Sequence, residues 1–269
     1  MPIDQLFELG IQNDKNIEGK LSITFDDGYV NIFADILDEL IKLNIPVTMF
    51  LIGNMFNNKI FWRNKIIYLL NNETSLIKFI EQYNKKNNFK INKDFFYQQS
   101  KSEKVNSIKL DRSLDWFFID NNLVHELNAS IITDKNLLIK NKLITYGNHT
   151  YNHYVLSSLS YDEQKEEIQK NKKLLDSLNL NLSKVFAIPF GGNADYNLDT
   201  LKVLRDLNIS NVLLCNNKLN TNLNTCKNLN FLDRLITGNN LNKMKFKLIK
   251  DNFKFNINCL WKSSRKLFL

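Results

Sequence analysis

The sequence predicts an α/β fold with parallel strands, and two observations support this prediction. Short β-rich apolar runs alternate along the chain with longer segments whose apolar residues recur at helical spacing. Several of the short runs also end in polar or glycine-containing turns, which is where α/β folds place their ligands. No repeat of fixed period accompanies this alternation. The length allows one large domain or two small ones, and we expect a single domain over residues 1–269.

The first βαβ unit lies near the start of the chain. The run 21–25 alternates, is rich in β-forming residues, and ends in the turn sequence Asp26-Asp27-Gly28. A helical pattern follows it. The next apolar run, 47–52, is too short for a helix and suits a buried parallel strand. The apolar face of the intervening helix contains Ile32, Phe33, Ile36, Leu37, Leu40 and Ile41.

Residues 55–140 interrupt the alternation with a polar stretch of helical pattern. We interpret this stretch as a helical insertion that packs on the domain. After it, Ser160 and Glu163 form a capping box, which predicts the start of a helix. The remaining predicted elements are strands over 139–146, 185–188 and 212–215 and a helix over 195–208.

The composition excludes several classes of protein. A chain of 269 residues with 43% hydrophobic and 24% charged residues can bury a sizeable core, which excludes wholesale disorder. Its longest apolar stretch, 45–56, is shorter than the roughly 20 residues that span a bilayer. Three cysteines without a close CxxC pair argue against a disulfide framework or a thiolate zinc site. No secretory signal pattern is visible, so we expect a cytoplasmic location.

The formal net charge of +8 raises nucleic acid or a membrane surface as partners. Most of this charge lies in residues 241–269, where seven lysines and one arginine accompany a single acidic residue, Asp251. Apolar residues interleave with the lysines, a composition that suits docking of this basic C-terminal tail on the inner face of a membrane. A final helix or strand packed on the domain is the alternative. No nucleic-acid-binding motif is present, so nucleic acid is not expected.

Two of the three histidines, His149 and His153, are four residues apart and follow the predicted strand 139–146. On one helical turn such a pair shares a face, and its imidazoles can converge on one ion. Two surface histidines that meet this spacing by chance are the alternative.

Asp26 and Asp27 stand side by side at the end of the first predicted strand. Adjacent carboxylates repel each other unless a cation is near, although Asp-Gly is also a common turn sequence. One carboxylate with two imidazoles is a typical ligand set of a catalytic divalent ion, which keeps open positions for water and substrate. The second aspartate would then be free to act as a base.

Three segments together resemble the motifs of one enzyme family. They are TFDDG at 24–28, HTYNH at 149–153 and AIPFG at 187–191. This combination resembles the NodB-homology polysaccharide deacetylases, carbohydrate esterase family four, in the branch with a PFG-type third motif. The resemblance covers about residues 20–56 and 130–240, and it implies a distorted (β/α) barrel with about seven parallel strands.

The resemblance implies a role for each matching residue. Asp27, His149 and His153 would bind a divalent metal ion, expected to be Zn²⁺, and Asp26 would be the general base that activates the attacking water. The backbone N–H of Phe190 would stabilise the oxyanion. Further substrate or oxyanion contacts are expected at Pro189, Thr150 and Tyr151, and Thr150 would also orient the second histidine or a neighbouring loop.

The chain departs from the family pattern in two respects. Many members carry an arginine just before the third-motif proline, where this chain has the uncharged residues 186–188. We expect Arg234, which resembles an arginine near the last strand of the branch, to orient Asp26 instead; an ordinary surface arginine is the alternative. Many members also carry a late histidine that protonates the leaving amine. No histidine follows His153, so either Asp26 returns the proton or another group, such as His125, supplies it.

The expected function is the hydrolytic removal of an N-acetyl or N-formyl group from an amino sugar in a polysaccharide, glycolipid or surface-glycan precursor. The lack of a visible secretory signal favours a sugar on a nucleotide or lipid carrier. A catalytically degenerate glycan-binding protein on the same scaffold is the alternative, although the complete metal set argues against it.

Overall fold

A seven-stranded sheet forms the centre of the fold. The computed structural model describes residues 1–57, 59–127, 130–220 and 222–236. The strands are β1 Ile23–Asp27, β2 Val47–Leu51, β3 Ile144–Asn148, β4 Leu182–Ala187, β5 Asn211–Leu214, β6 Asn224–Cys226 and β7 Leu229–Asp233. They lie in the order β1-β2-β3-β4-β5-β7-β6. The predicted α/β barrel with parallel strands is confirmed, with one difference at β6.

The difference is that β6 pairs antiparallel with β7, whereas the other neighbouring strands are parallel. Lys227 and Asn228 connect the two strands, with φ angles of 46° and 65°. Positive φ at both residues of a two-residue turn matches the right-handed twist of a hairpin, and Asn adopts this conformation readily. The chain therefore reverses here without a crossover helix.

Helices flank the sheet on its outer side and at one end. They are α1 Ile3–Ile11, α2 Leu37–Lys42 (preceded by a π-helical turn, Ile32–Ile36), α3 Trp62–Asn71, α4 Glu73–Lys86, α5 Phe96–Gln99, α6 Ser107–Asp120, α7 Tyr161–Asp176 and α8 Leu198–Asp206. Short 3₁₀ turns lie at Lys15–Ile17, Gly53–Asn57, Lys93–Phe95, Val124–Glu126, Lys135–Leu137 and Leu156–Ser158. The predicted capping box of Ser160 and Glu163 begins α7. Within the described residues, no helix has the length and apolar character needed to cross a bilayer.

The predicted strand over 139–146 has the largest shift in its bounds, because β3 begins only at Ile144. Asn141 makes a turn just before it: its side chain accepts a hydrogen bond from the N–H of Leu143 at 2.9 Å, and its carbonyl accepts one from Ile144 at 3.0 Å. The apolar residues before this turn are therefore outside the sheet.

The interior of the barrel is closed at the N-terminal ends of the strands by α1, which has no counterpart among the predicted elements. Two side chains of α1, Ile3 and Phe7, are buried against inward-facing residues of four strands. Those residues are Phe50, Val185, Ala187, Leu213 and Leu232. Asp4 also accepts a hydrogen bond from the N–H of Lys184 at 2.8 Å. We call this end of the barrel the bottom, and the end at the C-terminal ends of the strands the mouth.

Residues 55–140 contain α3 to α6, which bury an aromatic cluster on the β1–β3 side of the sheet. Phe79 lies at the centre of this cluster, with Tyr83, Phe96 and Phe117 at ring-centroid distances of 5.4 to 5.9 Å. The basic tail, 241–269, is outside the described residues, and its membrane contact stays a prediction.

Candidate active site

The mouth of the barrel brings together the two aspartates and the two histidines singled out by their sequence motifs. Strand register explains this, because Asp27 lies beside Leu51 and Leu51 lies beside Asn148. The chain therefore leaves β3 at His149 directly next to the end of β1. Register alone places one carboxylate and one imidazole at the same edge.

The histidines are not on a helix, so the helical premise for their convergence is wrong. Residues 149–153 form a loop in which Thr150 and His153 have φ angles of 64° and 59°. The Asn148 side chain accepts from the N–H of Thr150 at 2.9 Å, and the Thr150 hydroxyl accepts from the N–H of His153 at 3.0 Å. These turns fold the loop back, so that both imidazoles point to one place.

The loop is also held from two sides. From α7, the Glu167 carboxylate accepts hydrogen bonds from the backbone N–H of Asn152, at 2.8 Å, and from its side-chain amide. From residues 55–140, the Trp62 indole N–H donates to the Asn152 carbonyl at 3.0 Å. The Tyr154 hydroxyl donates to Asp111 of α6 at 2.7 Å. The loop therefore depends on both the barrel and the helices of this segment.

The ligand atoms of Asp27, His149 and His153 all lie within 4.8 Å of one another. The Oδ1 atom of Asp27 is 3.6 Å from Nε2 of His149 and 3.4 Å from Nε2 of His153. This oxygen is buried and has no hydrogen-bond partner among the described residues. Buried polar atoms are normally paired, so the arrangement fits a divalent cation between the three side chains.

The protonation states also suit metal ligands. Nδ1 of His149 lies 2.7 Å from the carbonyl oxygen of Ala187, which can only accept, so Nδ1 holds a proton and Nε2 is the nitrogen that the neutral ring would offer to a metal. Burial, reinforced by the charges of His149 and Arg63, lowers the pKa of His153 well below its ordinary value. Burial raises the pKa of Asp27 to about 6, against the charge of His149. Neutral imidazoles are the form that binds metal.

Asp26 has a different environment from its neighbour. Its Oδ1 accepts a hydrogen bond from Nη1 of Arg234 at 2.6 Å, while its Oδ2 lies 3.6 Å from Nε2 of His149. Burial alone would raise the pKa of Asp26, but Arg234 and the two histidines outweigh it and hold that pKa below the ordinary value. One oxygen is thus anchored and the other faces the cluster.

Arg234 reaches Asp26 because the sheet curls. It follows β7, and β7 is far from β1 in the sheet order. Its backbone N–H donates to the Leu214 carbonyl at 3.1 Å, which continues the β5–β7 pairing, and its Nη1 then crosses the mouth to Asp26. The structure therefore brings together the two predicted catalytic residues.

The third motif closes another side of the cluster. Phe190 has a φ of 63°, and its ring lies edge-on to His153 at 4.6 Å between centroids. Gly191 follows with a φ of 71°, and a Cβ there would lie 2.6 Å from the backbone nitrogen of Cys215. Glycine is therefore required, and the tight turn after Pro189 depends on it.

A family model described as polysaccharide deacetylase matches residues 13–85 and 115–212, which is more than half of the chain. The chain belongs to the polysaccharide deacetylase family. The predicted enzyme class, a carbohydrate deacetylase, is confirmed at this level. The match leaves residues 86–114 and Arg234 outside it.

Solved structures similar to this deacetylase include three bacterial proteins. The Streptococcus pyogenes deacetylase PplD in complex with acetate is 17% identical, with 89% of this chain and 74% of that chain covered and a TM-score of 0.49. IcaB from Ammonifex degensii is 17% identical, with coverage of 88% and 81% and a TM-score of 0.44. Wild-type BA3943 from Bacillus anthracis, a CE4 family pseudoenzyme, is 15% identical, with coverage of 72% and 43% and a TM-score of 0.33. No match was found among curated proteins.

Two residues that the sequence suggested for the site of this deacetylase lie outside the cluster of Asp27, His149 and His153. Tyr151 is 9% exposed, its hydroxyl accepts a hydrogen bond from Asn57, and Lys170 lies 4.0 Å from its ring centroid. A sugar could reach this ring only if those neighbours moved. His125 is exposed, pairs with Glu126 at 3.1 Å and is not part of the cluster.

Other residues line the deacetylase site but are not among its predicted catalytic, metal-binding or substrate-binding residues. The Tyr29 hydroxyl donates to Asp27, and burial together with the Asp27 charge raises the pKa of Tyr29. Phe61 lies edge-on to His153 at 5.6 Å, and Arg63 is buried nearby. Phe61 and Arg63 come from residues 55–140, where the sequence pattern predicts helices but not which side chains face the mouth.

Proposed function

We propose that this protein is a metal-dependent hydrolase that removes an N-acetyl or N-formyl group from an amino sugar in a polysaccharide, glycolipid or surface-glycan precursor. The observation that carries the proposal is the unpartnered Asp27 Oδ1, which faces Nε2 of both His149 and His153. Family membership supplies the reaction class, and this cluster supplies the place where it would occur. A cytoplasmic location remains a prediction.

Asp27, His149 and His153 would hold the divalent ion, and Zn²⁺ suits a set of one carboxylate and two imidazoles. When bound, such an ion supplies Lewis-acid chemistry, which acidifies water and polarises an amide carbonyl. The carbonyl of Ala187 fixes the tautomer of His149, and the Thr150 hydroxyl fixes the backbone of His153. These contacts keep both Nε2 atoms directed at the ion.

Asp26 would act as the general base. Its Oδ2 faces the cluster and accepts a proton from the attacking water, while Arg234 holds Oδ1 and fixes the orientation of the carboxylate. The same carboxyl then delivers that proton to the leaving amine. The chain has three histidines, and the one outside the cluster, His125, is exposed and paired with Glu126. Asp26 is therefore the group best placed to shuttle the proton.

Phe190 would serve the developing oxyanion through its backbone N–H. Its left-handed backbone places the residue at the edge of the cluster, with its ring against His153. Backbone donors fixed in this way stabilise negative charge without reorganising during the reaction. Pro189 and Gly191 hold the turn that presents this N–H.

The proposal can be tested with the His149→Ala/His153→Ala double variant. We expect it to lose bound metal, measured by elemental analysis of the purified protein, and to lose acetate release from N-acetylated hexosamine substrates. The matched control is His125→Ala, which removes an exposed histidine and should keep both. Full acetate release by the double variant would refute the mechanism. Glycan binding without acetate release by the wild type would instead indicate a degenerate binding protein.

A further inference from the structure

A buried arginine lies beside the proposed metal site without a carboxylate partner. Arg63, in the first turn of α3, is only 7% exposed, and its Nη1 donates to the Ser100 hydroxyl at 3.0 Å. No Asp or Glu oxygen in the described part of the chain comes within ion-pair distance of it. Its guanidinium carbon instead lies 4.7, 5.4 and 5.5 Å from the ring centroids of Trp62, Tyr97 and Phe190.

Two other cations with little exposure are paired with carboxylates, whereas Nη1 of Arg205 is also buried without a hydrogen-bond partner among the described residues. Lys65 contacts Asp111 at 3.1 Å, and Arg234 contacts Asp26 at 2.6 Å. Arg63 also has a hydrogen bond with the Tyr97 side chain, and the charge of Asp27 acts on it from beyond ion-pair distance. A buried charge without an anion in contact is costly, because rings and hydroxyls compensate it less well. The difference indicates that the anion for Arg63 comes from a ligand.

A second cation contacts the same Tyr97 ring. Nζ of Lys101 lies 3.9 Å from the ring centroid of Tyr97, and Lys101 also has no carboxylate partner in the described ranges. Partial burial would raise the pKa of Tyr97, but hydrogen bonds and charge from Lys101 and Arg63 outweigh it and lower that pKa. Tyr97 is 43% exposed, so a ligand can reach the ring that both cations contact.

The position of Arg63 relative to the proposed catalytic groups also suits a ligand site. Phe190 contacts Arg63 through one face and lies edge-on to His153 at 4.6 Å between ring centroids. One aromatic ring therefore separates the guanidinium from a proposed metal ligand. A group attached to the reacting sugar can span that separation.

We propose that Arg63, Tyr97 and Lys101 form a subsite for a phosphate group carried by the amino-sugar substrate. The planar donor fork of arginine and the compact charge of lysine both suit phosphate oxygens. This inference rests on the proposed deacetylation and narrows its substrates to amino sugars linked through phosphate. The phosphate can belong to a nucleotide carrier or to a lipid carrier.

The kinetic test compares three N-acetylhexosamine substrates: a nucleoside-diphosphate sugar, a lipid-diphosphate sugar and a neutral methyl glycoside. Loss of one charge-assisted contact in Lys101→Ala should raise the ratio of KM for phosphorylated over neutral substrate about tenfold. Lys104→Ala, an exposed lysine of the same segment, should leave this ratio unchanged. The better carrier-linked substrate identifies the source of the phosphate. Equal kcat/KM of the wild type on neutral and phosphorylated sugars would overturn the proposal.

A binding measurement separates failure of the subsite from failure of the proposed reaction. Calorimetry with inorganic pyrophosphate on the full chain should show binding that persists in His149→Ala/His153→Ala. The same binding should weaken about tenfold in Lys101→Ala and in Arg63→Gln, where Gln can still contact Ser100. Binding that is unchanged in both variants, or lost in the double-histidine variant, would show that pyrophosphate binds elsewhere and would overturn the subsite.

Discussion

The bottom and the mouth of the barrel are built by the same strands, yet their chemistry is opposite. At the bottom, Ile3 and Phe7 of α1 pack among apolar side chains of four strands and are almost completely buried. At the mouth, Asp26 and Asp27 lie beside an imidazole, and Arg234 pairs with Asp26. Burial stabilises the bottom, whereas the mouth collects charges that repel or must be paired.

Backbone conformation also differs between the mouth and the rest of the described chain. Left-handed residues away from the mouth are mostly Asn, which adopts this conformation readily. At the mouth, Asp27, Thr150, His153 and Phe190 are left-handed. Each such residue costs on the order of 1 kcal/mol, and it persists only where its surroundings fix it. Strain and charge are therefore concentrated where the reaction is proposed and are offset by apolar packing elsewhere.

The largest expected effect is at the mouth. Asp26→Asn removes the proposed base while keeping its size, and we expect kcat to fall by about 10² to 10⁴-fold. Bound metal should be retained, because Asp26 is not among the three proposed ligands. The control is Asp38→Asn, an exposed carboxylate on α2. Unchanged kcat in Asp26→Asn would remove the functional distinction between the two aspartates.

The second-largest effect is expected at the bottom of the barrel, on stability. Phe7→Ala empties a fully buried site, and the free energy of unfolding should fall by about 3 to 5 kcal/mol. Chemical denaturation measures this fall, and kcat of the protein that remains folded should change little. Phe95→Ala is the matched control, because Phe95 is 57% exposed. A large loss of kcat in folded Phe7→Ala would show that the two ends are coupled.

The smallest effect is expected at Glu167, which holds the loop 149–153 at the mouth. Burial raises the pKa of Glu167 to about 7 from an ordinary 4.5, although Asn152 donates to it. The folded protein therefore binds this proton more tightly, so the stabilisation is complete below about pH 4.5 and is lost as pH rises through about 7. The unfolding free energy of wild type relative to Glu167→Gln should fall by up to about 3 kcal/mol over that range.

The matched control for this effect is Glu166→Gln, an exposed neighbour on α7. Its unfolding free energy relative to wild type should not change over the same pH range. If Glu167→Gln also showed no pH-dependent difference, the loop at 149–153 would be held without a proton-linked contribution from Glu167.

The strand pattern was sufficient to predict an α/β fold with parallel strands and chemically active residues at strand ends, because β1 and β3 end at Asp27 and Asn148. The barrel was predicted from the family resemblance. The path of the loop was not predictable from spacing. An i, i+4 pair suggests a helix, whereas here hydrogen bonds to Asn148 and Thr150 select a left-handed turn. Arg63 and α1 were not predicted for a related reason: both depend on contacts with segments distant in sequence.

The packing of α1 at the bottom of the barrel has a consequence for the order of folding. Phe7 and Leu232 belong to one buried cluster, so this cluster is completed only after β7 has been made. Contacts between residues so far apart in sequence form late and slow the folding of a domain. The interior at the bottom is therefore complete only after β7 has left the ribosome.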